Sequence, residues 1–216
     1  MARKPADQSV NREDIIVAAA DVLHRNGYEA TTMKDIAAEV NLTAASLYHH
    51  FRNKDTLLLA VLEAGLTRVI EQLEPIVRSQ RSNSEKLTQL IKLHIANITN
   101  HTSVGAAMIF EIRPLMSFKA PPRNGNQFGS DAHDEFIQRR DAFFAQRDYF
   151  EDLFRCVVRD GIASGEFRAV DVGIFIKGML GANNWVAVWY KEGGRLDGNV
   201  IAEIMAKNIL RSLQPE

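Results

Sequence analysis

The stretch LTAASLYHHFRNK, residues 42–54, decides the fold. It holds two adjacent histidines, a tyrosine, a cluster of small residues and two cations, with no acid from Val40 until Asp55. Leu47 and Phe51 stand four apart, the buried stripe of a short helix running to about His50. Asn41 breaks the pattern just before it and tolerates the left-handed conformation that a tight turn needs. Upstream, Met33 to Val40 reads as a two-turn helix capped by Thr31 or Thr32, with Ile36, Ala37 and Val40 inward.

Two short helices joined by a tight turn, the second with small and hydrogen-bonding side chains outward, have the geometry of a helix-turn-helix DNA reader. Small residues let the N-terminal end of the second helix approach base edges, and Thr43 and Ser46 offer hydroxyls to phosphate oxygens. Working outward, Asn11 caps a first helix with Ile15, Ile16, Ala19, Val22 and Leu23 at helical spacing, which Gly27 stops. Asn53-Lys54-Asp55 opens a longer helix in which Leu57, Leu58, Val61, Leu62, Leu66, Val69, Ile70 and Leu73 recur every three or four residues, and Pro75 kinks or ends it.

The remainder is also helical by pattern. Asn83 or Ser84 caps a run through Leu87, Leu90, Ile91, Ile95 and Ile98, and an apolar piece spans about Val104 to Ile112, closed by Arg113-Pro114. Phe118 to Ser130, with its Pro and Asn-Gly signals, reads as a loop. Phe136 to Val158 follows as a long helix, Gly161 to Glu166 as a turn, Asp171 as the cap of a helix reaching Lys191, and Asp197 to Leu213 as the last helix. No strand pattern and no internal repeat are visible. The fold class is all-α: a three-helix reader at 11–54, joined by a continuous helix to a larger helical domain at 55–213.

The string from Ile36 to Leu58 resembles the TetR family of transcriptional regulators. That family's pattern, I-A-x-x-A-G-V-S-x-G-x-L-Y-x-H-F-x-x-K-x-x-L, is met in register by Ile36, Ala37, Leu47, Tyr48, His50, Phe51, Lys54 and Leu57 or Leu58. Val40, Asn41, Leu42, Thr43 and Ala45 depart from it, mostly mildly, and Ala45 in place of a glycine alters close contacts. The resemblance implies that Thr43, Ala45, Tyr48 and His49 face DNA, beside Ser46 from the reading above, with His50, Lys54 and Thr32 at phosphate. The bland reading packs Tyr48 and His50 against Phe51 and leaves His49 a solvated surface residue.

Charge is informative only locally. The chain has 26 Lys and Arg against 27 Asp and Glu, a net charge of −1, which excludes a uniformly basic coat. Residues 1–56 carry seven cations and eight acids, so operator affinity is expected to rest on local cations, the Arg3-Lys4 arm and dimerisation.

One reader covers few base pairs, so a two-fold dimer reading half-sites about 34–36 Å apart, or a multiple, is expected. Gly178 and Gly181 allow close approach in the dimer interface, and Trp185 and Trp189 supply apolar area. Those tryptophans are as readily read as monomer core. By resemblance the middle of the chain is an effector-binding domain, with Met108, Phe110, Phe118, Phe143, Phe150, Phe154 and Asn184 as candidate ligand contacts, although an ordinary core also uses such aromatics. The segment from Gly181 to Gly194 resembles a C-terminal pattern of regulators of acyl-CoA catabolism. It implies an acyl-CoA effector whose phosphates Arg113, Arg139, Arg140 or Arg147 could meet.

The resulting reading is a ligand-responsive repressor that binds a palindromic operator as a dimer and is released by a small hydrophobic effector. The alternative is an all-helical enzyme or small-molecule carrier with a vestigial reader. His94 and His101 lie seven apart on one helix, about 10.5 Å of rise, too far for one metal ion. His133-Asp134-Glu135 are consecutive, so they point in different directions, and no phosphate loop, H-E-x-x-H or G-x-S-x-G element occurs. No catalytic residue, metal or cofactor is expected. Cys156 is alone, the opening Met-Ala-Arg-Lys-Pro is not an apolar leader, and Val172 to Tyr190 is interrupted by Lys177, Asn183 and Asn184. A cytoplasmic protein without membrane contact is expected.

Overall fold

Side-chain caps set where the helices begin. In the computed structural model, which describes residues 10–100, 112–117 and 130–215, every described element is helical. These are α1 (Arg12–Ala30), α2 (Met33–Glu39), α3 (Ala44–His50), α4 (Lys54–Arg78), α5 (Asn83–Asn100), α6 (Arg113–Ser117), α7 (Ser130–Ala163), α8 (Val172–Asn184), α9 (Val186–Trp189) and α10 (Gly198–Ser212). Asn11, Thr32, Thr43, Asn53, Asp171 and Asp197 each accept a hydrogen bond from a first-turn N–H of the helix they precede.

Several boundaries differ from the sequence reading. Gly27 kinks α1 rather than ending it: at φ 75° it turns the chain, and Tyr28 to Ala30 add a further turn before Thr31 closes onto the Gly27 carbonyl. Neither Asn83 nor Ser84 caps α5. Ser82 does, in a reciprocal box with Glu85, and the Glu166 carboxylate accepts from the Asn83 and Ser84 N–H groups. Arg113-Pro114 opens a short helix, since a proline in the first turn sacrifices no intrahelical bond. Pro75 lies inside α4, which runs on to Arg78 although the proline has no N–H for the Glu71 carbonyl. The helix expected to reach Lys191 stops at Asn184, and a single turn, α9, follows. The apolar piece at 104–111 and the loop at 118–129 lie outside the described residues.

The Asn41 turn forms as its chemistry dictates. Asn41 sits at φ 57°, its N–H reaches the Ala38 carbonyl, and the Leu42 N–H reaches that of Ala37 at 2.8 Å, closing α2 and aiming α3 across it. Ile15, Leu23, Ile36, Leu47 and Phe51 fill the small core beneath. From Leu57 to Leu62 every side chain of α4 is buried, wider than the stripe read from sequence, because α1 presses on one side while α5 and α7 press on others. Beyond it, α5 lies at the centre of the larger domain, in contact with α4, α7, α8 and α10.

Candidate nucleic-acid interface and effector core

The third helix is anchored through one face. Leu47 is 0% and Phe51 3% exposed, while Thr43, Ala45, His49 and His50 are exposed and Tyr48 is 53% exposed. The Tyr48 phenol is thus kept half in water beside a fully buried leucine, on the outer face of the helix. Thr43 Oγ1 accepts from the Ser46 N–H at 3.0 Å and lies 2.9 Å from Ser46 Oγ, so these two hydroxyls fix the start of the helix that they also present.

Two residues expected at phosphate are already engaged. Thr32 gives both its N–H and its hydroxyl to the Asp35 carboxylate, at 2.8 and 2.7 Å. Those bonds hold the Asp35 carboxyl below its usual range, so a phosphate there competes with a fixed acid. Lys54 Nζ donates to the Tyr28 carbonyl at 2.7 Å and the Thr31 carbonyl at 3.0 Å, and stands 4.1 Å from the centre of the Tyr28 ring. The two carbonyls use two of its three donors. The Tyr28 hydroxyl in turn donates to Asp55, and its pKa is raised by burial and by that carboxylate. Sequence reasoning missed this clamp between α1 and α4, whose partners lie 26 and 27 positions apart.

A second seam connects reader and larger domain. Arg12, His50, Phe51, Arg52 and Thr56 face Glu135, Phe136 and Arg139 of α7 across a crevice of about 160 Å³. Arg139 also holds Glu63 of α4 through two nitrogens, Nε at 3.3 Å and Nη2 at 2.5 Å.

In the larger domain, Phe143 and Phe154 are fully buried and Phe150 partly so. His94 of α5 meets the rings of Phe150 and Phe154 at 5.6 and 6.2 Å, and its Nε2 lies 2.9 Å from Asn184 Oδ1. Burial keeps this imidazole neutral, with its pKa pushed down to about 4 despite the opposing Asn184 bond. Phe150, Phe154 and Asn184 are thus brought together around a histidine that sequence reasoning weighed only as a metal ligand, while Met108, Phe110, Phe118 and His101 lie outside the described residues. Phe143 is edge-on to Phe144, with ring centres 5.6 Å apart.

The tryptophans are not monomer core: Trp185 is 61% and Trp189 48% exposed. Ile174, Val188, Val200 and Ile204 are also exposed on α8 to α10, and a Cβ added at Gly178 or Gly181 would meet nothing within 4 Å.

Comparison with known proteins finds two matching segments. Residues 15–61 match the family model described as bacterial regulatory proteins, tetR family, and residues 136–213 match a tetracyclin repressor-like C-terminal domain. The chain belongs to the TetR family. It is similar to the HTH-type transcriptional repressor KstR2 of Mycolicibacterium smegmatis, 28% identical over 92% of this chain and 88% of that protein. The structure of the ketosteroid transcriptional regulator KstR2 of Mycobacterium tuberculosis shares its fold, with TM-score 0.78 and 22% identity over 99% of this chain and 100% of that one. AibR in complex with isovaleryl coenzyme A and operator DNA is 25% identical with TM-score 0.72, over 94% of this chain and 98% of that one.

As a TetR-family chain it is a helix-turn-helix transcriptional regulator and not an enzyme. The tetR-family match falls on the N-terminal helices and the repressor-like C-terminal match on α7 to α10. Among the described residues no helix is long and apolar enough to cross a membrane.

Proposed function

We propose that this regulator is a cytoplasmic repressor: a homodimer binds a palindromic operator and is released by a small hydrophobic effector of the acyl-CoA class. The reader spans 11–54 and the effector and dimer domain 55–213. Thr43, Ala45, Ser46, Tyr48 and His49 meet the groove, with Thr32, His50 and the free donor of Lys54 at phosphate. Gly178, Gly181, Trp185 and Trp189 meet the partner subunit. Phe143, Phe150, Phe154 and Asn184 belong to the effector core, joined by Met108, Phe110 and Phe118. The exposed polar face of α3 over buried Leu47 carries the reading. The effector class is supported by AibR, solved with both isovaleryl coenzyme A and operator DNA.

A ligand shifts an equilibrium only through unequal affinity for its two states. Here α4 runs unbroken from the Tyr28–Lys54 clamp to Arg78, and α7 reaches from the aromatic core to the crevice beside His50. Displacing either end moves α3 relative to its two-fold mate and spoils half-site spacing. Titrating isovaleryl-CoA and octanoyl-CoA into a complex with DNA from the regulator's own upstream region, followed by anisotropy, tests this. Release at micromolar thioester is expected, and affinity for thioester that is equal with and without DNA contradicts it by linkage.

A further inference from the structure

Asn183 closes the inward stripe of α8, after Ile176, Met179 and Leu180, and is 0% exposed. Among the described residues, neither its Oδ1 nor its Nδ2 has a hydrogen-bond partner. That stripe position suits a leucine, and an unanswered buried amide is costly, whereas an apolar side chain of the same size removes the cost. The next residue, Asn184, is answered by His94, and Phe150 and Phe154 stand against that imidazole at the same end of α8.

We infer that Asn183 is the polar contact of the effector site and takes a neutral group that both accepts and donates a hydrogen bond, a hydroxyl on an otherwise apolar acyl chain. The inference rests on the effector reading above and narrows it. Nδ2 has a hydrogen to give and Oδ1 lone pairs to fill. A hydroxyl answers both, a ketone leaves Oδ1 unmet, and a methylene leaves both unmet. A ligand carboxylate brings no donor and needs a cation. His94, held neutral by burial, supplies none.

Calorimetry on the full-length protein decides this, with octanoyl-CoA, 3-hydroxyoctanoyl-CoA and 8-hydroxyoctanoyl-CoA as probes beside the methyl esters of the same three acids. The wild type is expected to bind a hydroxylated chain at least tenfold more tightly than its octanoyl counterpart, because a site built for a hydroxyl rejects the analogue lacking it. Asn183→Leu is expected to lose that preference and, without ligand, to melt no lower than the wild type. Thioesters that bind with no hydroxyl preference in the wild type, or a preference that survives in Asn183→Leu, overturn the inference and leave the acyl-CoA reading standing. An Asn183→Leu protein that melts several degrees lower or fails to fold also overturns it, assigning Asn183 to the fold. A preference among methyl esters when no thioester binds supports the inference and overturns the acyl-CoA reading. Binding by none of the six overturns both.

Discussion

Lys54 of α4 is bound to Tyr28 of α1 in two ways, through the carbonyl at 2.7 Å and over the ring at 4.1 Å, and the same tyrosine's hydroxyl reaches Asp55. The N-terminal helices are therefore clamped to the first turn of α4, the helix that runs on into the larger helical domain.

Replacing Lys54 by Met keeps the stem but removes the cation–π contact and the two carbonyl bonds. Thermal denaturation is expected to show a loss of about 1–3 kcal/mol. Lys54→Arg is not expected to restore it, because a planar fork cannot place one compact ammonium between the Tyr28 and Thr31 carbonyls. Full stability in Lys54→Met would show the clamp to be idle.

Gly178 tests the apolar face of α8. The space around it is open in one protomer, so Gly178→Trp fits the isolated subunit and obstructs a partner. Sedimentation is expected to find the wild type dimeric and Gly178→Trp monomeric at the same concentration, with unchanged helical circular dichroism. Gly178→Ala is expected to stabilise the helix by about 0.5–1 kcal/mol. A dimeric Gly178→Trp protein places the interface elsewhere.

Buried His94 makes stability depend on acid. Its folded pKa of about 4 lies below the unfolded 6.5, so below 6.5 the unfolded chain binds the extra proton first. Stability is fully present above that value and falls as pH drops from 6.5 through about 4, by roughly 3 kcal/mol in all. Urea unfolding midpoints across this range check the slope. His94→Gln, which can still bond Asn184 but does not titrate, is expected to flatten it. An equal acid slope in His94→Gln would assign the loss to other groups.

What the sequence made legible was local chemistry. Caps at Asn11, Thr32 and Asp171 act within four residues, and the Leu47–Phe51 stripe within one turn, so both could be read without a partner. The Ser82–Glu85 box was equally readable from its S-x-x-E spacing, but neighbouring Asn83 and Ser84 competed for the same role. Partnerships across the chain were not readable: Glu166 at the start of α5, Tyr28 under Lys54, His94 beside Asn184, and the burial of Asn183 all depend on tertiary packing. The end of α8 at Asn184 was hidden because the apolar residues run on past it.

Operator affinity should fall steeply with salt. Each phosphate neutralised contributes about −0.9 to the slope of log K against log salt. Removing exposed Arg52 is expected to weaken all DNA sequences alike, and Thr43→Ala to weaken the operator most. Anisotropy at several salt concentrations separates the two, and an operator affinity insensitive to salt would contradict the electrostatic account.

The most direct test compares operator binding by the wild type, Tyr48→Ala and Leu47→Ala, each with its thermal stability. Tyr48, half in water, is expected to cost at least tenfold in affinity with stability within about 0.5 kcal/mol of the wild type. Leu47, fully buried, is expected to cost about 2–5 kcal/mol of stability. Unaltered operator binding by a folded Tyr48→Ala protein would contradict the assignment of the outer face of α3 to the DNA groove.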